Sequence, residues 1–182
     1  MSPIEFRNDD TLAVARSLLG KALVRTTKRG REALLINEVE AYDGELDLAC
    51  HASKGRTKRT EVMYQPGGLW YVYLCYGIHE MLNLVVGPEN HPAAILIRGA
   101  GEIIGPGRLT KRLQIDRRLN GLAVLPESGL HIEDVGIKIP RREIKISHRI
   151  GVDYAGPIWS KKPWRFHFET DGLSPTSDVG AL

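Results

Sequence analysis

Ala33-Leu34-Leu35-Ile36-Asn37-Glu38-Val39-Glu40-Ala41-Tyr42 is an apolar, partly β-branched run interrupted by two carboxylates. Such a composition, free of proline and glycine, predicts a β-strand over 33–42. Side chains on a strand alternate between its faces, so Leu34, Ile36, Glu38, Glu40 and Tyr42 are expected on one face. Carboxylates that continue an apolar face are costly unless paired, hydrogen-bonded or placed at an exposed strand end. Two readings are open at this point. Either Glu38 and Glu40 emerge into solvent or meet arginines, or one of them lies at the strand end beside the aromatic Tyr42, where a carboxylate is suited to activating water.

Before this strand, residues 22–26 predict a second one, joined to it across the polar turn 28–31. Residues 10–20 predict a short helix: Asp10 can cap it, Leu12, Ala15 and Leu19 share a face, and Gly20 can end it. After the strand, residues 43–60 form a small, polar, basic loop without apolar periodicity. Loops this long inside a compact domain are functional or disordered as a rule. Residues 69–75 and 79–86 predict two strands joined at Tyr76-Gly77, a hairpin with an aromatic residue at its tip. A further strand is expected at 94–98. Gly105-Pro106-Gly107 then opens a helix in which Leu109 and Leu113 lie one turn apart. Asn120-Gly121 marks a turn, with short β segments expected at 130–133 and 137–139, and the polar tail 172–182 is expected to be loose. The expected fold is α+β: one compact domain over 1–182, with a mostly antiparallel curved sheet, flanking helices and a protruding hairpin.

The chain of 182 residues is 42% hydrophobic, enough to bury a real core. No stretch approaches the roughly 20 apolar residues of a membrane-spanning helix. The first ten residues carry acidic side chains and no apolar segment, so no secretory signal is visible. Cys50 and Cys75 have no metal-type spacing and read as reduced, unpaired thiols. An intracellular protein is expected, in the cytoplasm or nucleoid of a bacterium or the nucleus of a eukaryote. His51 adjoins Cys50, but the other histidines are scattered, so neither a metal nor a cofactor is expected. A monomer is expected. The formal charge is only +3, yet it is clustered: Lys54, Arg56, Lys58 and Arg59 form one group, and Arg108, Lys111, Arg112, Arg117 and Arg118 another. Such runs serve either as solvated faces or as contacts to a polyanion.

The aromatics of Trp70-Tyr71-Val72-Tyr73-Leu74-Cys75-Tyr76-Gly77 fit cross-strand packing. Tyr76 differs, because a turn tip has no core to fill; an exposed ring there fits insertion into a partner, such as a wedge between base steps. The start of the helix at Gly105 offers free N–H groups and a positive dipole end, to which Arg108 adds charge, an arrangement suited to a phosphate or simply to a tight turn.

Taken in order, Glu40-Ala41-Tyr42, His51, Tyr71-Val72-Tyr73, Tyr76-Gly77, Asn83, Arg98, Gly105-Pro106-Gly107-Arg108-Leu109, Arg149-Ile150-Gly151-Val152, Ala155-Gly156 and Pro163-Trp164-Arg165-Phe166 resemble the 3-methyladenine (alkyladenine) DNA glycosylase family. The blocks span about residues 10 to 168; each is weak alone, and their order and spacing are specific. The resemblance implies a monofunctional hydrolase acting on double-stranded DNA that contains damaged purines. Glu40 matches the general base that activates water. Tyr42, His51 and Tyr73 match an aromatic box around the flipped base, and Asn83 a pocket residue that disfavours the exocyclic amine of guanine. Tyr76 matches the residue that fills the gap in the base stack. Arg98 matches a charged partner of the backbone near the lesion, with Ile150 and Gly151 where the pocket rim meets the nucleotide; Arg59 and Arg108 are further expected DNA contacts. The chain departs from the pattern in the 83–98 connection and after Phe168, and His148 has no counterpart role.

The chemistry is consistent with that resemblance. A base inside a duplex must be extruded at a cost of a few kcal/mol. A cationic alkylated purine gains cation–π attraction between aromatic rings, up to about 2 kcal/mol when desolvated. Its departure leaves an oxocarbenium-like sugar that a carboxylate stabilises. Two alternatives stand beside this: a damaged-DNA binding module of the same fold with little activity, and a hydrolase of free nucleosides. The first has no need of Glu40, the second none of an exposed Tyr76.

Overall fold

The computed structural model describes residues 6–170, so the tail expected to be loose, 172–182, lies outside the described residues. Helix α1 (Thr11–Leu18) opens the chain. The Asp10 carboxylate accepts from the Ala13 N–H at 2.8 Å and so satisfies one of the amides that a helix start leaves unpaired. Thr11, Val14, Ala15 and Leu18 form its buried face at helical spacing.

Strand β1 (Ala22–Thr27) and the long β2 (Gly30–Asp43) follow, paired antiparallel. Next come β3 (Trp70–Cys75), β4 (His79–Val85), β5 (Ala93–Ala100) and β6 (Ile103–Ile104), then helix α2 (Pro106–Arg112) and β7 (Leu130–Glu133). Two short strands, β8 (Lys145–Ser147) and β9 (Arg165–His167), flank the short helix α3 (Gly156–Trp159). Along the sheet the order is β3-β4-β5-β2-β1-β7, with β6 on β5, and β9 joining β8 to β2. Every pairing is antiparallel. With the helices packed against one sheet, the fold is α+β, as expected.

Strand β2 is the spine of the molecule. Its first half pairs with β1; beyond Glu38 the same edge is taken over by β9, while β5 runs along the other edge. Between these halves the register with β5 shifts twice, from Ile36 to Glu38 and from Glu38 to Val39. Here the sequence expectation needs correction. Leu34 and Ile36 do not share a face with Glu38, Glu40 and Tyr42, because the irregularity at Asn37 breaks the alternation. Ile36, Val39 and Ala41 all enter the main core, while Glu38 and Glu40 turn to the other side to meet Arg98. The kink is filled by the Asn37 side chain, whose Nδ2 donates to Gly101 O at 2.7 Å. It also requires glycine at position 99, where a Cβ would lie 2.6 Å from Asn37 Oδ1.

The main core lies between α1, α2 and one face of the sheet, and includes Phe6, Leu18, Ile36, Trp70, Leu84, Ile95, Leu109 and Phe166. Trp70 is fully buried, with its indole N–H donating to Leu130 O at 2.9 Å. One further expectation changes. Residues 137–139 form no strand; Ile137 and Ile139 pack over Gly20 instead. Strands β6, β8 and β9 are too short to show a period of two in sequence. The loop 43–60 is built around buried Asp47, Ala49, Cys50 and Ala52 and contains a 3₁₀ turn at His51–Lys54. Among the described residues, no helix is long and apolar enough to cross a membrane.

Candidate active site

Past its kink, β2 places Glu40 behind a groove, next to Tyr42, Arg98 and Ile150, which line it. Glu40 has no exposed surface, and both of its oxygens accept hydrogen bonds. Oε1 accepts from the Ile150 backbone N–H at 2.7 Å. Oε2 accepts from the Tyr42 hydroxyl at 2.8 Å and, at 3.4 Å, from Arg98 Nη1. Burial raises its pKa above the usual carboxylate range, against the opposing pull of Arg98, the Ile150 N–H and the Tyr42 hydroxyl. The carboxylate is thus held rigidly and stays proton-hungry.

Arg98, expected from the resemblance as a charged partner of the DNA backbone near the lesion, lines the groove and also meets both carboxylates. Its Nε donates to Glu38 Oε1 at 2.9 Å, and the guanidinium is mostly buried. Glu38 also accepts from Arg165 Nε at 2.7 Å. Of the two readings of these carboxylates, the meeting with arginines is correct for both, and only Glu40 combines it with complete burial beside an aromatic wall.

That wall encloses a recess of about 40 Å³ lined by Tyr42, His51, Tyr71, Tyr73, Asn83 and Tyr154, among others. Tyr42, His51, Tyr73 and Tyr154 also line a larger groove of about 600 Å³, bordered by Leu48, Tyr76, Arg98 and Ile150. A groove of that size lies within the range of ligand sites. The rings of His51 and Tyr73 meet edge to face at 4.5 Å, and His51 Nδ1 shares a hydrogen bond with the Tyr71 hydroxyl at 2.9 Å. Burial, with Arg59 and Lys54 nearby, pushes the His51 pKa down to about 4. The imidazole is therefore neutral near pH 7 and does not repel a cation stacked on it. Asn83 is buried, with Nδ2 donating to Tyr71 O at 3.1 Å and Met81 O at 3.3 Å, which fixes its amide at the recess.

A buried ion pair holds the two chain segments above Glu40. The side chains of Asp47 and Arg149 are both 0% exposed, joined by two contacts of 2.5 and 2.8 Å. Arg149 also donates to Ala41 O and Trp159 O, and its guanidinium lies over the rings of Tyr42 and Trp164 at 4.7 and 5.0 Å. Held through both Nη atoms, with Nε left unpartnered, the pair fixes the loop carrying His51 against the segment carrying Ile150.

At the end of β3, Tyr76 and Gly77 both have positive φ, 50° and 72°, and Ile78 N–H donates back to Cys75 O at 3.1 Å. Such a turn favours glycine at its second centre and strains a tyrosine at its first. The Tyr76 ring is 90% exposed. Arg59 is exposed over the Tyr73 ring, with 5.0 Å from guanidinium to centroid. Gly151 is exposed beside half-exposed Ile150 on the groove rim, and Arg108 is exposed on the first turn of α2.

The groove therefore collects Tyr42, His51, Tyr73, Tyr76, Arg59, Arg98, Ile150 and Gly151, with Asn83 in the recess and Glu40 behind the floor. Arg108 does not line it. Sequence reasoning missed Tyr154 and Asp47, and gave Tyr71, Arg149 and Arg165 no role although each lies in one of the family-like motifs. A lone acid in a polar loop and an arginine on a three-residue strand carry no periodic signal. Membership of those motifs was the available hint.

A profile of the family described as methylpurine-DNA glycosylase matches residues 5–172 of this chain. The "Putative 3-methyladenine DNA glycosylase" of Methanocella arvoryzae is 46% identical over 186 residues, covering 91% of this chain and 90% of that protein. Proteins of the same name from Psychrobacter cryohalolentis and an Anaeromyxobacter species are 43% and 44% identical. They cover 84% and 91% of this chain and 89% and 87% of their own lengths. With the match spanning nearly the whole chain, this protein belongs to the methylpurine-DNA glycosylase family.

Proposed function

We propose that the protein removes alkylated purines from double-stranded DNA by flipping the base into the aromatic recess and hydrolysing its N-glycosidic bond with water activated by Glu40, leaving an abasic site. The observation that carries this reading is the uneven hydrogen bonding of the two Glu40 oxygens. Each carboxylate oxygen has about two acceptor sites. Oε2 is filled by Tyr42 and Arg98, whereas Oε1 accepts only the Ile150 N–H among the described residues. One lone pair on Oε1 is left to orient a water and take its proton, and its raised proton affinity suits it to that task. The negative charge then stabilises the oxocarbenium-like sugar as the bond to the base breaks.

Recognition follows from the walls. The recess of about 40 Å³ is far smaller than the roughly 300 Å³ of a ligand pocket, so its rings must part to accept a base. Tyr42, neutral His51 and Tyr73 then offer π faces to a cationic alkylated purine, while normal purines gain only ordinary stacking. Asn83 disfavours the exocyclic amine of guanine at the recess. Tyr76 fills the space that the flipped base vacates, and Arg59, Arg108 and Gly151 contact the DNA backbone. The sole lysine among the described groove-lining residues is exposed Lys54, away from the floor, which favours hydrolysis over an amine-mediated lyase reaction.

The test is base release from duplexes each carrying one lesion, with the free nucleoside as control. Glu40→Gln is expected to bind a lesion duplex like wild type and to release no base. Turnover within a few-fold of wild type would exclude Glu40 as the base.

A further inference from the structure

Glu38 has no task in the proposed reaction, yet it makes the closer ion pairs of the two carboxylates. Its Oε1 accepts Arg98 Nε at 2.9 Å and Arg165 Nε at 2.7 Å, whereas the one guanidinium contact of Glu40 among the described residues is Arg98 Nη1 at 3.4 Å. The three side chains Glu38, Arg98 and Arg165 are mostly buried. A guanidinium is a rigid planar fork, so the carboxylate that holds Nε fixes where Nη1 points and how closely it approaches.

We propose that Glu38 is a positioning residue for Glu40: by holding Arg98 through Nε it keeps the guanidinium from closing a full ion pair with Glu40 and leaves that carboxylate basic. The inference rests on the reading of Glu40 as the base. The groups facing the pair are few. Strand β2 supplies Glu38, Glu40 and the Tyr42 hydroxyl, β5 supplies Arg98, and β9 supplies Arg165 with His167 opposite Glu38 in register. The 149–150 segment adds the Ile150 N–H and Arg149, the latter committed to Asp47. With Glu38 gone, Arg98 has Glu40 as its one carboxylate partner among the described residues. Its Nη1 and Nη2 can then close on Glu40 together, as bidentate pairs do. The directions of proton affinity agree: Arg98 and Arg165 hold Glu38 below its usual range against its burial, while Glu40 sits above.

The experiment is the pH profile of single-turnover base release from a duplex carrying 7-methylguanine, whose leaving group is already cationic and needs no proton. Glu38→Gln is expected to move the acid limb down by about one pH unit, the scale on which a neighbouring charge moves a carboxylate. Its plateau rate should fall about tenfold as Arg98 neutralises the base. Arg165→Gln has the opposite sign, because Glu38 is then less compensated and raises the proton affinity of Glu40, so its acid limb should move up. A merely structural role lowers both rates without moving either limb. Folding of each variant is checked by circular dichroism. If Glu38→Gln does not fold, the sign of the Arg165→Gln shift decides alone. Limbs at the wild-type position in folded variants, with Glu40→Gln inactive, overturn this inference only; an active Glu40→Gln overturns the base reading and this inference with it.

Discussion

The hydroxyl of Tyr42 donates to Oε2 of Glu40 at 2.8 Å, so a ring that walls the recess also holds the carboxylate behind its floor. Tyr42→Phe keeps the ring and removes the donor. Hydrogen bonds to charged groups contribute about 1.5–3 kcal/mol, so base release is expected to slow roughly ten- to a hundredfold. Lesion-duplex affinity should stay within about twofold, because the stacking face is retained. The hydroxyl lowers the proton affinity of Glu40, and its loss therefore moves the acid limb of the rate profile to higher pH. Single-turnover rates from pH 5 to 9 check both effects; an unmoved limb would mean that Tyr42 acts only by stacking.

His51 ties stability to pH. Its pKa is near 4 in the fold against an ordinary 6.5, so the unfolded chain binds the proton more tightly. Its contribution is fully present above about pH 6.5 and is lost as pH falls toward 4, on the order of 3 kcal/mol across that window. In His51→Gln that part of the acid sensitivity disappears. Urea denaturation of both proteins at pH 7 and pH 5 measures the difference, and equal losses in the two would show that the imidazole titrates normally.

Tyr76 carries the distinction between flipping and surface binding. Its ring stands 90% exposed on a turn with positive φ, a position with nothing in the fold to gain from it. Tyr76→Ser should weaken the flipped complex while leaving affinity for unmodified duplex, dominated by phosphate contacts, nearly unchanged. Fluorescence of a 2-aminopurine beside the lesion reports the flipped state, with base release followed in parallel. Wild-type values for both would make Tyr76 a bystander.

Salt dependence separates the arginines. Arg108 is exposed and free to meet a phosphate, so Arg108→Ala should flatten the log–log dependence of affinity on salt by about one unit. Arg98 is committed to Glu38 and Glu40, and its replacement should leave that slope unchanged while slowing release. The reverse pattern would return Arg98 to the DNA backbone.

Much of this architecture was legible because its signals are local. Asp10 caps α1, Pro106 starts α2, and the Tyr76-Gly77 turn joins two strands of recognisable composition. The irregularity at Asn37 was not, because its cause is non-local: the space left by Gly99 and the carbonyl of Gly101, more than sixty positions away, draw the side chain inward. A period of two read straight through that point put the carboxylates on the wrong side of the strand relative to Ile36. The same limit hid the roles of Asp47 and Arg165, whose partners Arg149 and Glu38 are distant in sequence. Glu40, Tyr42, His51 and Tyr73 were found through the resemblance of their motifs; their spacing alone left packing and solvent exposure as competing accounts.

Asp47 and Arg149 fasten together two stretches of chain with different duties. His51 stands four residues after Asp47, and Ile150, which caps Glu40, is the neighbour of Arg149. Because neither charge can leave its partner without a large desolvation cost, displacement of one stretch drags the other. Any shift of the His51 loop is therefore transmitted, through this rivet, to the amide that aims the carboxylate, so the shape of the recess and the aim of Glu40 cannot change independently.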